Sequence, residues 1–142
     1  MKKYFFLILL LVLLDQGSKF ILYGRYIFFT SFFSLTSVEN TGVAFGLFQG
    51  NNLFFVVLSL IILVVILFNF SADPLPLSFI IAGLFGNLID RVFFGFVRDF
   101  ISVSIWPVFN LADSSITIGV LLLFLHFWKE KKIYKLQGSR KE

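Results

Sequence analysis

Apolar residues in this chain gather in four long blocks, Tyr4 to Tyr23, Leu53 to Phe70, Leu75 to Phe96 and Leu111 to Trp128, separated by shorter polar connections. Each block has about the 20 residues that an α-helix needs to cross a hydrocarbon layer. The pattern predicts an all-α membrane protein, a bundle of four transmembrane helices. Ser71-Ala72-Asp73 before Pro74 is a tight connection, which makes the second and third helices antiparallel neighbours. The first block begins like a secretory signal, with Lys2 and Lys3 ahead of the apolar run Tyr4 to Leu14. No small-residue cleavage site follows, and Asp15 and Lys19 continue the pattern, so it reads as a permanent helix.

Two longer connections remain, Gly24 to Asn52 and Val97 to Asn110. The first is rich in Phe, Ser and Thr from Phe28 to Val38, residues that favour extended structure, and Glu39-Asn40-Thr41-Gly42 reads as a turn. A small β or extended subdomain between helices 1 and 2 is expected, lying on the membrane surface. Its aromatic residues, Phe28, Phe29, Phe32, Phe33, Phe45 and Phe48, suit contact with lipid rather than water. No internal repeat supports an inverted-repeat transporter, and no flexible linker divides residues 1–142, so one integral membrane domain is expected.

Composition agrees with the pattern: 58% of residues are hydrophobic and 14% charged, against roughly 25% charged in soluble domains. With no cysteine and His126 as the one imidazole, thiol nucleophiles, disulfides and a His cluster for zinc are excluded, and no metal or cofactor is expected. The net charge of +4 comes from basic residues near the ends, Lys2 and Lys3 on one side and Lys129, Lys131, Lys132, Lys135, Arg140 and Lys141 on the other. That arrangement is a topology signal rather than a nucleic-acid face. It places both termini in the cytoplasm and the two longer connections on the outer face, with Trp106 and Trp128 as interfacial anchors.

Ionised groups are costly in such a chain, so each one calls for a partner or a role. Asp15 and Lys19 share a helix face and form an expected structural ion pair. On the third helix Gly83 and Gly86 permit close approach, and Asn87, Asp90 and Arg91 form one polar stripe. Asp90 reads as helix glue, and Arg91 as a donor to peptide carbonyls. Asp99 lies just beyond the third block and Asp113 opens the fourth, so a folded-back connection can bring the two carboxylates together. From the residues alone the bland alternative stays open: Asn110 is a fair N-cap, and Asp113 sits where a helix dipole favours negative charge.

Five runs occur together and in order: Asp15-Gln16-Gly17-Ser18-Lys19, Asn40-Thr41-Gly42-Val43-Ala44-Phe45-Gly46, Gly86-Asn87-Leu88-Ile89-Asp90-Arg91, Val97-Arg98-Asp99-Phe100 and Phe109-Asn110-Leu111-Ala112-Asp113. Along nearly its full length the chain resembles the lipoprotein signal peptidase (type II signal peptidase) family. The resemblance implies a four-span aspartyl endopeptidase of the bacterial inner membrane. Such an enzyme removes the signal peptide from prolipoproteins whose lipobox cysteine carries a diacylglyceryl group. It implies that Asp99 and Asp113 are the catalytic pair. It further implies that Asn40, Asn87, Arg91 and Asn110 contact the substrate or a peptide antibiotic such as globomycin, and that Asp15, Lys19 and Asp90 give structural support. Expected partners are the prolipoprotein and membrane lipids, with no nucleic acid, and a monomeric state.

Two residues depart from the family's usual pattern: Ala82 precedes Gly83 in place of a second glycine, and Arg98 precedes Asp99 in place of a small aliphatic residue. Arg98 is expected to favour the ionised form of Asp99 or to hold a lipid phosphate. A channel or proton-coupled carrier is the competing class, and it needs polar residues along a mid-bilayer path. The second block is almost wholly apolar and the acidic pair falls at one edge, which disfavours it.

Overall fold

The computed structural model describes residues 1–42 and 48–138. Val43 to Gly46 of the second motif, Phe45 of the aromatic segment, Arg140 and Lys141 lie outside the described residues, as do the side chains of Lys132 and Lys135. The chain runs α1 (Lys2–Leu22), β1 (Ile27–Phe28), β2 (Phe33–Asn40), α2 (Asn52–Asn69), α3 (Pro74–Phe93), β3 (Val97–Val103), β4 (Trp106–Phe109), α4 (Leu111–Gly138). All four helices are long and apolar enough to cross a membrane.

Burial sorts the helices. In the most apolar window of α3, 61% of residues are buried, against 11%, 22% and 17% in α1, α2 and α4, so α3 is the central helix and the others surround it. Its Leu77, Ile80, Ile81, Leu84 and Leu88 pack with Leu63 and Ile66 of α2. In α1 the usual arrangement is inverted: the buried residues are Asp15 and Lys19, while Phe5, Phe6, Leu13 and Phe20 are exposed. That is the expected division when the surrounding medium is lipid and polar groups must find partners inside the bundle. Glycine sets the spacing of α3 against its neighbours. A Cβ on Gly83 would collide with the Ala112 carbonyl of α4, and one on Gly86 would stand 2.5 Å from the Asp15 carboxylate of α1.

At one end of the bundle the strands form a single antiparallel sheet in the order β1-β2-β3-β4. The first connection forms β1 and β2, and the second, read from the sequence as a folded-back connection, adds β3 and β4. Sequence patterning missed β3 because Val97 to Phe100 are all buried and show no alternation of exposure, and missed β4 because Pro107 interrupts a strand of four residues. The third helix also stops at Phe93, short of Phe96, because Gly95 adopts φ +81° and turns the chain into β3. Asn40 ends β2 rather than sitting in a turn, and it pairs in register with Val97, two residues before Asp99.

Candidate active site

The site forms where the last turns of α3, the start of β3 and the first turn of α4 meet. Asn110 precedes α4 and accepts the backbone N–H of Asp113 at 2.9 Å through Oδ1. Its own backbone N–H donates to Asp113 Oδ2 at 3.2 Å. This reciprocal pair is a capping box that satisfies donors left over at the helix start. The capping reading therefore holds, and it does not compete with the chemical one. Both hydrogens of the Asn110 amide are used elsewhere, on Asp99 Oδ1 at 2.6 Å and on Asn87 Oδ1 at 3.1 Å.

Two more amides complete the frame. Asn87, reaching from α3, donates to Asp113 Oδ1 at 2.8 Å, and Asn40, reaching from the end of β2, donates to Asp99 Oδ2 at 2.9 Å. Asn40 is held in turn by Gly42, whose N–H donates to its Oδ1 at 2.9 Å. Each oxygen of both carboxylates thus accepts one hydrogen bond, and the same Asn110 side chain touches both acids' neighbourhoods. Asp99 and Asp113 face one cavity of about 300 Å³, whose walls include Asn40, Asn87, Arg91 and Trp106. Asn110 is fully buried behind that wall and spends all its polar atoms on the protein.

Burial pushes the Asp99 carboxyl up to about 7, and the neighbouring Asp113 charge adds to that rise. The bonds from Asn40 and Asn110 oppose it. Arg91 lies on the cavity wall, donates to the Gly42 carbonyl at 3.2 Å and stacks over the Phe55 ring at 5.2 Å. Its Nε is buried and without a hydrogen-bond partner among the described residues.

Beside the cavity lies a buried ion cluster. Lys19 pairs with Asp15 at 2.8 Å and with Asp90 at 3.4 Å, as a structural pair should. Arg98 corrects its expectation. Its neighbour Asp99 faces the cavity, but the Arg98 guanidinium packs on Asp90 at 2.7 Å and donates to Gln16 Oε1 at 2.9 Å. Successive strand residues point to opposite faces, which is why a cation adjacent in sequence is not adjacent in space. Gln16 links Asp15, Asp90 and Arg98, a role that its position in the first motif did not reveal. Among the described residues no group of three metal-binding side chains is gathered.

The profile of the family described as "Signal peptidase (SPase) II" matches residues 7–129. The chain belongs to the signal peptidase II family. A lipoprotein signal peptidase of Halothermothrix orenii is 37% identical over 91% of this chain and 97% of its own length. That of Enterococcus faecalis is 37% identical over 93% of this chain and 91% of its own, and one from Staphylococcus aureus is 34% identical over 91% and 93%. A solved bacterial membrane enzyme superposes with a TM-score of 0.85 at 33% identity, covering 92% of this chain and 90% of its own. As a signal peptidase II the chain is a multi-pass membrane protease, and its fold is that of the solved bacterial membrane enzyme.

Proposed function

We propose that this signal peptidase II is an aspartyl endopeptidase that cuts diacylglyceryl-modified prolipoproteins on the N-terminal side of the lipidated cysteine. The observation that carries the reading is the shared cavity: Asp99 and Asp113 face the same space, each held by side-chain amides from different elements. Two carboxyls so placed hold one proton between them at working pH, because the second ionisation works against the first charge. Asp99, raised to about 7, carries that proton. Asp113, in the first turn of α4 where the helix dipole favours negative charge, carries the charge.

Asp113 then takes a proton from a water in the cavity as the water oxygen attacks the scissile carbonyl carbon, and Asp99 gives its proton to the carbonyl oxygen. The product of this step is a tetrahedral diol with Asp113 neutral and Asp99 charged. Its C–N bond breaks as Asp113 protonates the departing cysteine nitrogen and Asp99 takes a hydroxyl proton. Acid, amine and the original protonation of the pair result, with no acyl-enzyme. Arg91 directs its unpartnered Nε–H to a substrate carbonyl, and Asn40 lines the path of the peptide while gripping Asp99. Asn87 and Asn110 act through the carboxylates that they hold.

The acyl chains of the lipidated cysteine stay in the bilayer, so the pair must lie near a membrane boundary. The basic residues at both ends of the chain support cytoplasmic termini in the bacterial inner membrane and a sheet on the outer side. The exposed Phe28, Phe29 and Phe32 then rest in lipid headgroups. Purified protein in lipid is incubated with prolipoprotein with and without the diacylglyceryl group. New N-termini at the lipidated cysteine, in the first case alone, support the reading; cleavage elsewhere or none contradicts it.

A further inference from the structure

The ion cluster is balanced, Lys19 and Arg98 against Asp15 and Asp90, and one contact ties it directly to an amide of the site. Lys19 Nζ lies 3.1 Å from Asn87 Oδ1, the amide whose nitrogen holds Asp113. An ammonium has donors and no acceptor, so the Asn87 oxygen has to face it. The amide nitrogen is then turned toward Asp113. A flipped Asn87 would set its NH2 against Lys19 and against the Asn110 amide, and its oxygen against the Asp113 carboxylate.

We propose that Lys19 is a positioning residue for the carboxylate pair: it fixes the Asn87 amide so that Asp113 meets a donor, and its charge keeps the adjoining cluster neutral. The inference rests on the two-carboxylate reading above and gives Lys19 a role beyond helix packing. The charged groups around it are Asp15 on α1, Asp90 on α3, Arg98 on β3 behind Asp90, and the pair itself, Asp99 on β3 and Asp113 on α4. The Lys19 charge also opposes the rise at Asp99. Asp15 has a second task, accepting the Ala112 N–H at the start of α4 at 2.9 Å, which an asparagine can also do.

Steady-state cleavage is followed from pH 5 to pH 9 for wild type, K19M and the double variant D15N/K19M. K19M leaves an excess negative charge beside the pair, so the acid limb of kcat/KM moves to higher pH by more than about half a unit. D15N/K19M restores neutrality and the position of that limb, but with Asn87 held by Asn110 alone its kcat falls by about tenfold or more at unchanged KM. An unmoved acid limb in K19M overturns the proposal, and so does wild-type kcat in D15N/K19M. If K19M fails to fold, the double variant decides, because it buries no unpaired charge. The Asp99→Asn and Asp113→Asn proteins run alongside: full activity in either sinks the two-carboxylate reading itself, whatever Lys19 does.

Discussion

Asn110 Nδ2 stands 2.6 Å from Asp99 Oδ1, and the same side chain caps the helix that carries Asp113. One residue therefore joins the folding of α4 to the geometry of the proposed pair. Its two functions are separable by substitution.

Asn110→Ala removes the cap, leaves Asp99 Oδ1 without its buried donor and leaves Asn87 Oδ1 with Lys19 alone. A stability loss of about 2–4 kcal/mol is expected, from a cap worth about 1 kcal/mol and the buried oxygen left unpaired. Asn110→Ser keeps a capping oxygen and recovers part of that loss, yet kcat stays low because serine cannot reach both Asp99 and Asn87. Thermal unfolding in detergent beside kcat for both variants checks this; wild-type kcat in Asn110→Ser would contradict it.

The pH dependence follows from Asp99. Its pKa near 7 means that the proton it donates is present below that pH and lost above it, so the rate falls on the alkaline side as pH rises through about 7. Asn40 stabilises the charged form of Asp99, so Asn40→Ala raises that pKa and moves the alkaline limb upward, by more than about half a unit. A downward shift of that limb would show that Asp99 does not titrate there.

Gly86→Ala puts a methyl 2.5 Å from Asp15 Oδ2 and 3.0 Å from Ala112 Cβ, so the Asp15 carboxylate must leave its place in the ion cluster and α4 must give way slightly. The expected loss is about 1–3 kcal/mol, with reduced kcat because Asn87 follows in the same turn. Gly17→Ala is the control: nothing lies within 4 Å of the added carbon, and the gain in helix propensity makes it neutral or slightly stabilising. Unfolding curves that place the two variants together would remove the close-packing argument.

Arg98→Val leaves Asp90 with Lys19 and Gln16 but without its bidentate partner. Breaking a buried pair from one side costs about 3–5 kcal/mol. The loss should appear in stability, and any shift of the pH profile should be smaller than that of K19M, because the Arg98 charge lies behind Asp90 whereas the Lys19 charge acts on Asp99. A shift as large as that of K19M would return Arg98 to the role the sequence first gave it.

The four helices were legible because about 20 apolar residues in a row have few other uses. That Asp99 and Asp113 come to one cavity was legible because a short connection joins the segments that carry them, and the i, i+4 spacing of Asp15 and Lys19 announced their ion pair. Less visible were β3, whose first four residues are all buried and show no period-two pattern, and β4, a four-residue strand interrupted by Pro107. The misplacement of Arg98 has a similar origin: adjacency in sequence was read as adjacency in space, and the strand sends the two side chains to opposite sides. The roles of Asn87 and Asn110 as holders of the acids depended on contacts across 26 and 11 residues, which no local pattern encodes.

The central claim is that Asp99 and Asp113 together activate one water, and its most direct measurement is kcat for Asp99→Asn and Asp113→Asn on lipidated prolipoprotein at equal amounts of folded enzyme. Each variant is expected to lose on the order of 10³-fold or more in kcat while still binding substrate, since each removes one half of the proton transfer. Turnover within about tenfold of wild type in either variant would contradict the account.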